Sequence, residues 1–197
     1  MERIIFRLDD ISPNTDLFEV SSMSLRIKDI YPSSELWFSF NPFAKKNNEG
    51  SVYSDVPFKD KPKDFFYDID VIRPWIHFDG KIVSHGLLHC DHSRLGYDAQ
   101  EMSILTSCKY IGTDVFVPPF NRWNSDTSEI CSKHKIRLVK LTDGWKSLEH
   151  NDFDSTHNLW YFHPWKWNVT LLANKLEGKL DSKKLGQLQG NSLCSAG

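Results

Sequence analysis

Short β-type runs alternate with helix-type segments along most of this chain, which limits the folds open to it. The β-type runs are Arg3–Leu8, Glu35–Phe40, Lys81–Ser84, Thr113–Val117, Ile136–Leu141 and Leu159–Phe162. The helix-type segments are Asp16–Ile30, Tyr97–Cys108, Ser125–His134 and Val169–Leu176, with Ser125 or Asp126 as the predicted N-cap of the third. Such alternation is typical of a parallel sheet built from βα units. Six runs are too few for a complete eight-stranded barrel, so the pattern favours a reduced or irregular α/β barrel.

Composition excludes several classes of protein. The 197 residues are 40% hydrophobic and 25% charged, as expected for a globular domain, and the net charge of -2 gives no reason to expect nucleic acid as a partner. No stretch approaches the ~18–20 apolar residues of a membrane span. Met1–Asp10 is no signal peptide, so a cytoplasmic location is expected unless the natural N-terminus lies upstream. The four cysteines lack zinc-finger spacing and are expected to be reduced thiols.

The chain is predicted to be one catalytic domain followed by a tail. Residues 1–176 carry the periodic segments, whereas residues 177–197 are polar and are expected to pack weakly. Residues 44–63 are rich in Lys, Asn and Ser and are predicted to form a long exposed loop. Nothing in the sequence indicates the oligomeric state.

Three motifs of chemically useful residues stand where predicted strands end. They read F-R-L-D-D at Phe6–Asp10, S-H-G-L-L-H at Ser84–His89 and Y-F-H-P at Tyr161–Pro164. Because functional sites of α/β sheets and barrels gather at the carboxyl ends of the strands, we expect these side chains to meet in one cleft.

The second motif is a candidate metal-binding pair. On a helical turn, His85 and His89 would lie on the same face and bind one ion, and His92 is a spare candidate. A carboxylate as third ligand would leave a fourth position open, which is the arrangement of catalytic zinc. Alone, this spacing is weak evidence for a metal.

Asp9, Asp10 and His163 complete the candidate machinery. One carboxylate can bind the metal while the other acts as a base, and His163 can act as a general acid because imidazole titrates near neutral pH. An adjacent Asp pair also stabilises loops, and a lone histidine is often structural. A glycosidase would need carboxylates about 5–9.5 Å apart, which adjacent residues fit poorly.

A proline-rich segment, Phe116–Asn124, is a candidate substrate groove. Pro119 stiffens the strand exit, Phe120 and Trp123 are candidate walls, and Asn121 and Asn124 are candidate partners for sugar hydroxyls or amides. An ordinary proline-rich turn is the alternative. The seven tryptophans likewise suit either sugar stacking or ordinary packing.

The order of these motifs resembles that of the NodB-type polysaccharide deacetylase superfamily. The resemblance covers roughly residues 3–167 and is nearest to divergent members associated with surface-polysaccharide and O-antigen gene clusters. It implies an irregular (β/α) barrel with about seven strands. It further implies Asp9 as base, Asp10, His85 and His89 as ligands of Zn²⁺ or another divalent transition metal, and His163 as acid. D-G-W at Asp143–Trp145 stands near a further family motif, which adds Trp145 to the candidate substrate contacts.

Two positions depart from the family pattern. Gly86 replaces the hydroxyl residue that follows the first metal histidine, and Val117 stands where the family often has an arginine that orients the base. Arg7, Arg94 and Arg122 are candidates to replace that arginine in space.

The implied function is metal-dependent removal of an acetyl group from an N-acetylated sugar in polysaccharide biosynthesis. The substrate would be an acetylated sugar or glycan intermediate, for example one linked to a nucleotide or lipid. The departures leave two alternatives: a catalytically impaired carbohydrate-binding protein of the same fold, and a metal-dependent hydrolase of another amide or ester.

Overall fold

The fold is a curled half-barrel of seven parallel strands with helices packed outside it. The computed structural model describes residues 3–12, 15–42 and 80–185. The strands are β1 Ile5–Ile11, β2 Glu35–Phe40, β3 Lys81–Ser84, β4 Val115–Phe116, β5 Arg137–Leu138, β6 Lys146–Ser147 and β7 Leu159–Phe162. The helices are α1 Leu17–Ile30, α2 Tyr97–Ile111, α3 Ser125–Lys133 and α4 Val169–Leu176. The prediction of an irregular (β/α) barrel with about seven strands is confirmed.

The sheet order places the first strand near the middle. The order is β5-β4-β3-β2-β1-β7-β6, and every neighbouring pair is parallel. The chain therefore winds outward from β1 to β5 and then returns on the other side through β6 and β7. All carboxyl ends of the strands lie at one edge, where sites of α/β proteins form.

The side chains of β1 alternate between the two faces of the sheet. The outer face, which the helices cover, and the inner face each have their own hydrophobic core. Phe6 and Leu8 point outward and are fully buried in a cluster that includes Met23 and Ile27 of α1. The opposite face of the sheet forms an inner cluster, whose buried members are Trp37, Val83, Val115, Val117, Val139 and Trp145. Arg7 has the same parity as Ile5, which packs against this inner cluster. An arginine thus lies on the inner face, with no exposed surface.

Several boundaries differ from the sequence predictions for local reasons. Strand β1 continues past the Asp pair to Ile11, and β6 was not predicted because two polar-flanked residues give no β-type pattern. The N-cap of α3 is Asn124, not Ser125 or Asp126, because its side chain accepts from the Thr127 backbone N–H in a capping box.

The beginning of the predicted tail packs against the domain. Leu180 and Leu185 are buried in the outer core. The fully buried Lys175 contacts Ser182 at 2.7 Å and Asp152 at 3.3 Å, which ties this segment to the loop before β7. Residues 177–185 thus differ from the expectation of weak packing, while residues 186–197 and the predicted loop 44–63 lie outside the described residues. Within the part of the chain that the structure describes, no helix is long and apolar enough to span a bilayer.

Candidate active site

Asp10, His85 and His89 converge at the carboxyl edge of the sheet. Asp10 Oδ1 lies 3.1 Å from His85 Nε2 and 2.8 Å from His89 Nε2. The ligand atoms of the three residues lie within 4.8 Å of one another, which is close enough for one ion. The two histidines are almost fully buried, while Asp10 remains partly accessible from the cleft.

An irregularity in β1 lets two adjacent carboxylates reach the same cleft. Asp9 is two residues after Arg7, so its side chain also points to the inner face of the sheet. In a regular strand the Asp10 side chain would therefore point outward. The pairing register with β2 shifts between Leu8 and Ile11, and Asp10 adopts a φ of 61°. This left-handed conformation is tolerated by Asp and turns the Asp10 carboxylate to the rim.

The loop between His85 and His89 is a series of bends and not the predicted helical turn. His85 directly follows β3 and its backbone N–H donates to Phe40. Gly86 has a φ of +81°, and a Cβ there would lie 2.7 Å from His92 Cε1. His92 bridges the Cys90 carbonyl and the Ser103 hydroxyl, at 3.0 Å each, and burial lowers its pKa to about 4. A neutral imidazole therefore fills the space beside Gly86, and a side chain at Gly86 would collide with it.

The substitution Gly86→Ser, which places a hydroxyl side chain directly after His85, is expected to destabilise the protein by about 2–4 kcal/mol through left-handed strain and the clash with His92. Urea denaturation measures the change. Gly96→Ser is the matched control, because a Cβ at Gly96 meets nothing within 4 Å and serine suits this N-cap position of α2. A Gly86→Ser protein as stable as wild type would contradict the steric explanation.

The donor set fits a divalent cation. His85 Nδ1 lies 2.8 Å from the Val117 carbonyl, which only accepts, so Nδ1 is the donor of this hydrogen bond and Nε2 is the ring nitrogen that faces Asp10. Burial opposes ionisation of Asp10, but the hydrogen bonds from His85 and His89 outweigh it and hold the pKa of Asp10 well below its usual value. Two imidazole nitrogens and a carboxylate oxygen are a common ligand set for zinc and neighbouring transition metals.

Arg7 holds Asp9 beside the candidate metal-binding set, which consists of Asp10, His85 and His89. Arg7 Nε donates to Asp9 Oδ1 at 2.8 Å, Arg7 Nη2 donates to Asp9 Oδ2 at 2.7 Å, and Ser39 Oγ donates to Oδ1 at 2.7 Å. Both members of this ion pair are buried. The Arg7 guanidinium also lies over Trp145 and Tyr161, at 4.6 and 5.0 Å from the ring centroids. The three hydrogen bonds to the Asp9 carboxylate thus come from Arg7 and Ser39 on the inner face of the barrel, and not from His85 or His89.

Arg7 is the candidate arginine that orients Asp9 in place of an arginine at position 117. Of the three candidate arginines, Arg7 contacts Asp9, while Arg94 and Arg122 both pair with Asp91. The hydrogen bonds use two acceptor sites on Asp9 Oδ1 and one on Oδ2, and a carboxylate offers about four. Among the residues that the structure describes, none uses the second lone pair on Oδ2, which is therefore left to accept a proton in the cleft that Asp9 lines.

His163 is held by Glu149, a residue that the sequence analysis did not single out. Glu149 Oε1 accepts from His163 Nδ1 at 2.7 Å and from its backbone N–H at 2.9 Å, and Lys166 Nζ donates to Oε2 at 3.2 Å. Burial opposes protonation of His163, but Glu149 and Asp10 outweigh it and raise the His163 pKa. Despite burial, His163 and Lys166 lower the pKa of Glu149 to about 2. A protonated His163 with Nε2 toward the cleft is thereby favoured.

The cleft between these groups has aromatic walls. It has a volume of about 170 Å³ and is lined by Asp9, Asp10, His85, His89, Phe120, Asn121, His163 and Trp165. Phe120 packs against His89 with tilted rings whose centroids are 4.4 Å apart, and the Asn121 side chain accepts from Arg7 Nη2 at 3.2 Å. The half-exposed Trp165 lines the cleft beside His163, with ring centroids 5.8 Å apart.

The other predicted substrate contacts lie outside the lining of this cleft. Pro119 is buried, Trp145 is packed against Arg7, and Asn124 caps α3. Trp123 is partly exposed and lies under Lys140 Nζ, 4.1 Å from the ring centroid.

Comparison with known proteins gives matches at the level of structure alone. No protein-family profile and no curated protein sequence matches the chain. A family 4 carbohydrate esterase from Streptomyces lividans in complex with acetate matches with a TM-score of 0.55 and 12% identity over 96% of this chain and 88% of that chain. A peptidoglycan deacetylase from Bacillus subtilis matches with a TM-score of 0.53 and 10% identity over 96% and 84%.

A family 4 pseudoenzyme from Bacillus anthracis also matches, with a TM-score of 0.55 and 6% identity over 97% of this chain and 62% of that chain. A mutant of that pseudoenzyme with restored enzymatic activity has a TM-score of 0.58 and 8% identity, over 97% and 64%. At such identities these likenesses establish a shared fold, that of the family 4 carbohydrate esterases and polysaccharide deacetylases.

Proposed function

We propose that this protein is a metal-dependent hydrolase that removes an acetyl group from an N-acetylated sugar of a polysaccharide or its biosynthetic intermediate. The convergence of Asp10, His85 and His89 around a point that one ion would fill carries the proposal. The fold likeness to carbohydrate esterases and a peptidoglycan deacetylase supports the substrate class. Zn²⁺ suits the ligand set, as do other divalent transition metals.

Asp9 and His163, which lie beside the proposed metal ligands, carry out the two proton transfers of the reaction. A divalent cation, when bound, polarises the amide carbonyl and makes an attacking water more acidic. Asp9 accepts a proton from that water at its remaining Oδ2 lone pair, while Arg7 and Ser39 hold the carboxylate in place. His163 donates its Nε2 proton to the departing nitrogen, and Glu149 keeps the other ring nitrogen bonded. Water and amide are thereby converted into acetic acid, which ionises to acetate in solution, and a free amine. Loss of the proton from Asp9 and uptake of a proton by His163 then return both groups to their starting state.

Acetate release tests the proposal directly. Purified protein supplied with Zn²⁺ or Co²⁺ should release acetate from an N-acetylglucosamine oligosaccharide, and a chelator should stop the reaction. Parallel assays on an O-acetylated sugar distinguish the amide substrate from the ester alternative, which the carbohydrate esterase fold keeps open. No release from any acetylated glycan by the metal-loaded protein would contradict the hydrolase function.

The Glu149→Gln variant should move the alkaline limb of the kcat profile to lower pH. General-acid catalysis requires protonated His163, so activity falls as pH rises through the His163 pKa. Glu149 raises that pKa, and a neutral glutamine removes this effect while keeping the side-chain size. The pH dependence of kcat measures the shift, with Glu101→Gln on α2, which pairs with Lys133 and His134, as control. An unchanged alkaline limb would contradict His163 as the acid.

A non-catalytic glycan-binding protein is the second candidate, favoured by the likeness to a pseudoenzyme. Valine in place of an arginine at position 117 is a reason to expect lost turnover, but Arg7 forms a buried ion pair with Asp9. Binding of an acetylated glycan without acetate release, in protein loaded with metal, would favour this candidate.

A further inference from the structure

We propose that Trp165 binds the sugar ring that bears the acetamido group and also orients the Asp10 carboxylate toward the two metal-site histidines. This inference rests on the proposed function, because it assigns the two sides of the same cleft. Trp165 was not among the predicted site residues, and its indole is 51% exposed while lining the cleft.

The placement of acid and aromatic walls determines where the sugar lies. The departing amine remains attached to the sugar, so the sugar must lie on the side of the group that protonates the nitrogen. His163 is that group, and its ring centroid is 5.8 Å from that of Trp165. Phe120 lines the same cleft but packs against His89, one of the proposed metal ligands. The acetyl group therefore faces Phe120, and the sugar ring faces Trp165.

The indole is held in place before any ligand arrives. Its Nε1–H donates to Asp10 Oδ2 at 3.4 Å, and Lys166 Nζ lies 4.9 Å from its ring centroid. Lys166 is itself bonded to Glu149. An ordered aromatic surface loses little conformational entropy on binding, which favours stacking of the apolar face of a pyranose ring.

The same N–H contact determines which oxygen of Asp10 meets the histidines. Asp10 Oδ1 faces His85 and His89, and Oδ2 faces Trp165 and, at 3.7 Å, His163 Nε2. A donor on Oδ2 resists rotation of the carboxylate, so Oδ1 stays directed at the metal-binding set. Outer contacts of this kind tune metal affinity.

Two substitutions separate the two roles. Trp165→Phe keeps an aromatic face and removes the N–H, so Zn²⁺ affinity should fall while KM stays unchanged. The fall should be roughly 3–10-fold, which is smaller than for many residues that contact a metal ligand, because the hydrogen bond from Trp165 to Asp10 is long. Trp165→Ala removes both features, so KM for an N-acetylglucosamine oligosaccharide should also rise roughly 10-fold. Phe18→Ala on α1, which removes another exposed aromatic side chain, is the control and should change neither value.

The readouts keep this inference separate from the proposed function. Zinc titration monitored with a competing chelator requires no turnover. Unchanged zinc affinity in Trp165→Phe would overturn the orienting role, and unchanged KM in Trp165→Ala would overturn the sugar contact, while acetate release by wild type would leave the hydrolase intact. Absence of acetate release by metal-loaded wild type would instead reject the hydrolase, and direct binding of the oligosaccharide would still test the sugar contact.

Discussion

Asp9→Asn protein should keep its bound cation and lose roughly 10²–10⁴-fold in kcat, the usual contribution of a general base. Asp9 contacts Arg7 and Ser39 but is not one of the proposed metal ligands Asp10, His85 and His89, so these three side chains remain in place. An asparagine has no carboxylate lone pair to accept the proton of the attacking water. Acetate release under saturating substrate, together with a zinc titration of the same sample, measures both quantities.

Asp126→Asn provides the matched control for this variant, because it makes the same chemical change on α3 and should leave kcat unchanged. Because Asp9→Asn disturbs a buried ion pair, its folding is checked by circular dichroism. Undiminished turnover in folded Asp9→Asn protein would remove Asp9 from the mechanism.

The largest effect on stability is expected for Arg7→Met. This change leaves the Asp9 carboxylate buried without its cation, which should lower the free energy of unfolding by about 3–5 kcal/mol. The double variant Arg7→Met/Asp9→Asn removes both charges and should recover most of that loss, because a buried unpaired charge costs more than a missing pair. Urea denaturation of the four proteins in this cycle gives the coupling energy.

A loss below about 1 kcal/mol in Arg7→Met, the range of exposed ion pairs, would contradict the description of Arg7 and Asp9 as a tightly coupled buried pair. The Arg7→Met/Asp9→Asn double variant also serves the test of Asp9 as the base. It is expected to be more stable than either single charge-removing variant, so it provides folded protein that lacks the base if Asp9→Asn alone unfolds.

Strand-end positions made much of the candidate site predictable. Asp9, Asp10, His85 and His163 each follow an apolar run that forms a strand, and parallel strands bring their carboxyl ends to one edge. Arg7 was named only with two other arginines. Its spacing of two residues from Asp9 in a strand was a usable signal, since alternate residues share a face.

The roles of Glu149, Trp145 and Gly86 could not be predicted from local sequence patterns. Glu149 follows a two-residue strand with no β-type run, so nothing marked it as a strand-end residue. Trp145 was attributed to the substrate groove, but its position opposite Arg7 depends on sheet curvature, which local sequence does not report. The space beside Gly86 is filled by His92, six residues later, through a loop whose bends no periodicity predicts.

Zinc titration of wild-type, His85→Ala and His89→Ala proteins tests the central claim most directly. We expect one Zn²⁺ per wild-type chain. In each variant we expect a loss of affinity greater than the roughly 10–100-fold caused by removing a residue that only contacts a metal ligand. His134→Ala, at the C-terminal end of α3 and bonded to Glu101, should bind as wild type does. Wild-type protein that binds no stoichiometric cation, or binding unaffected by loss of His85 and His89, would contradict the central claim.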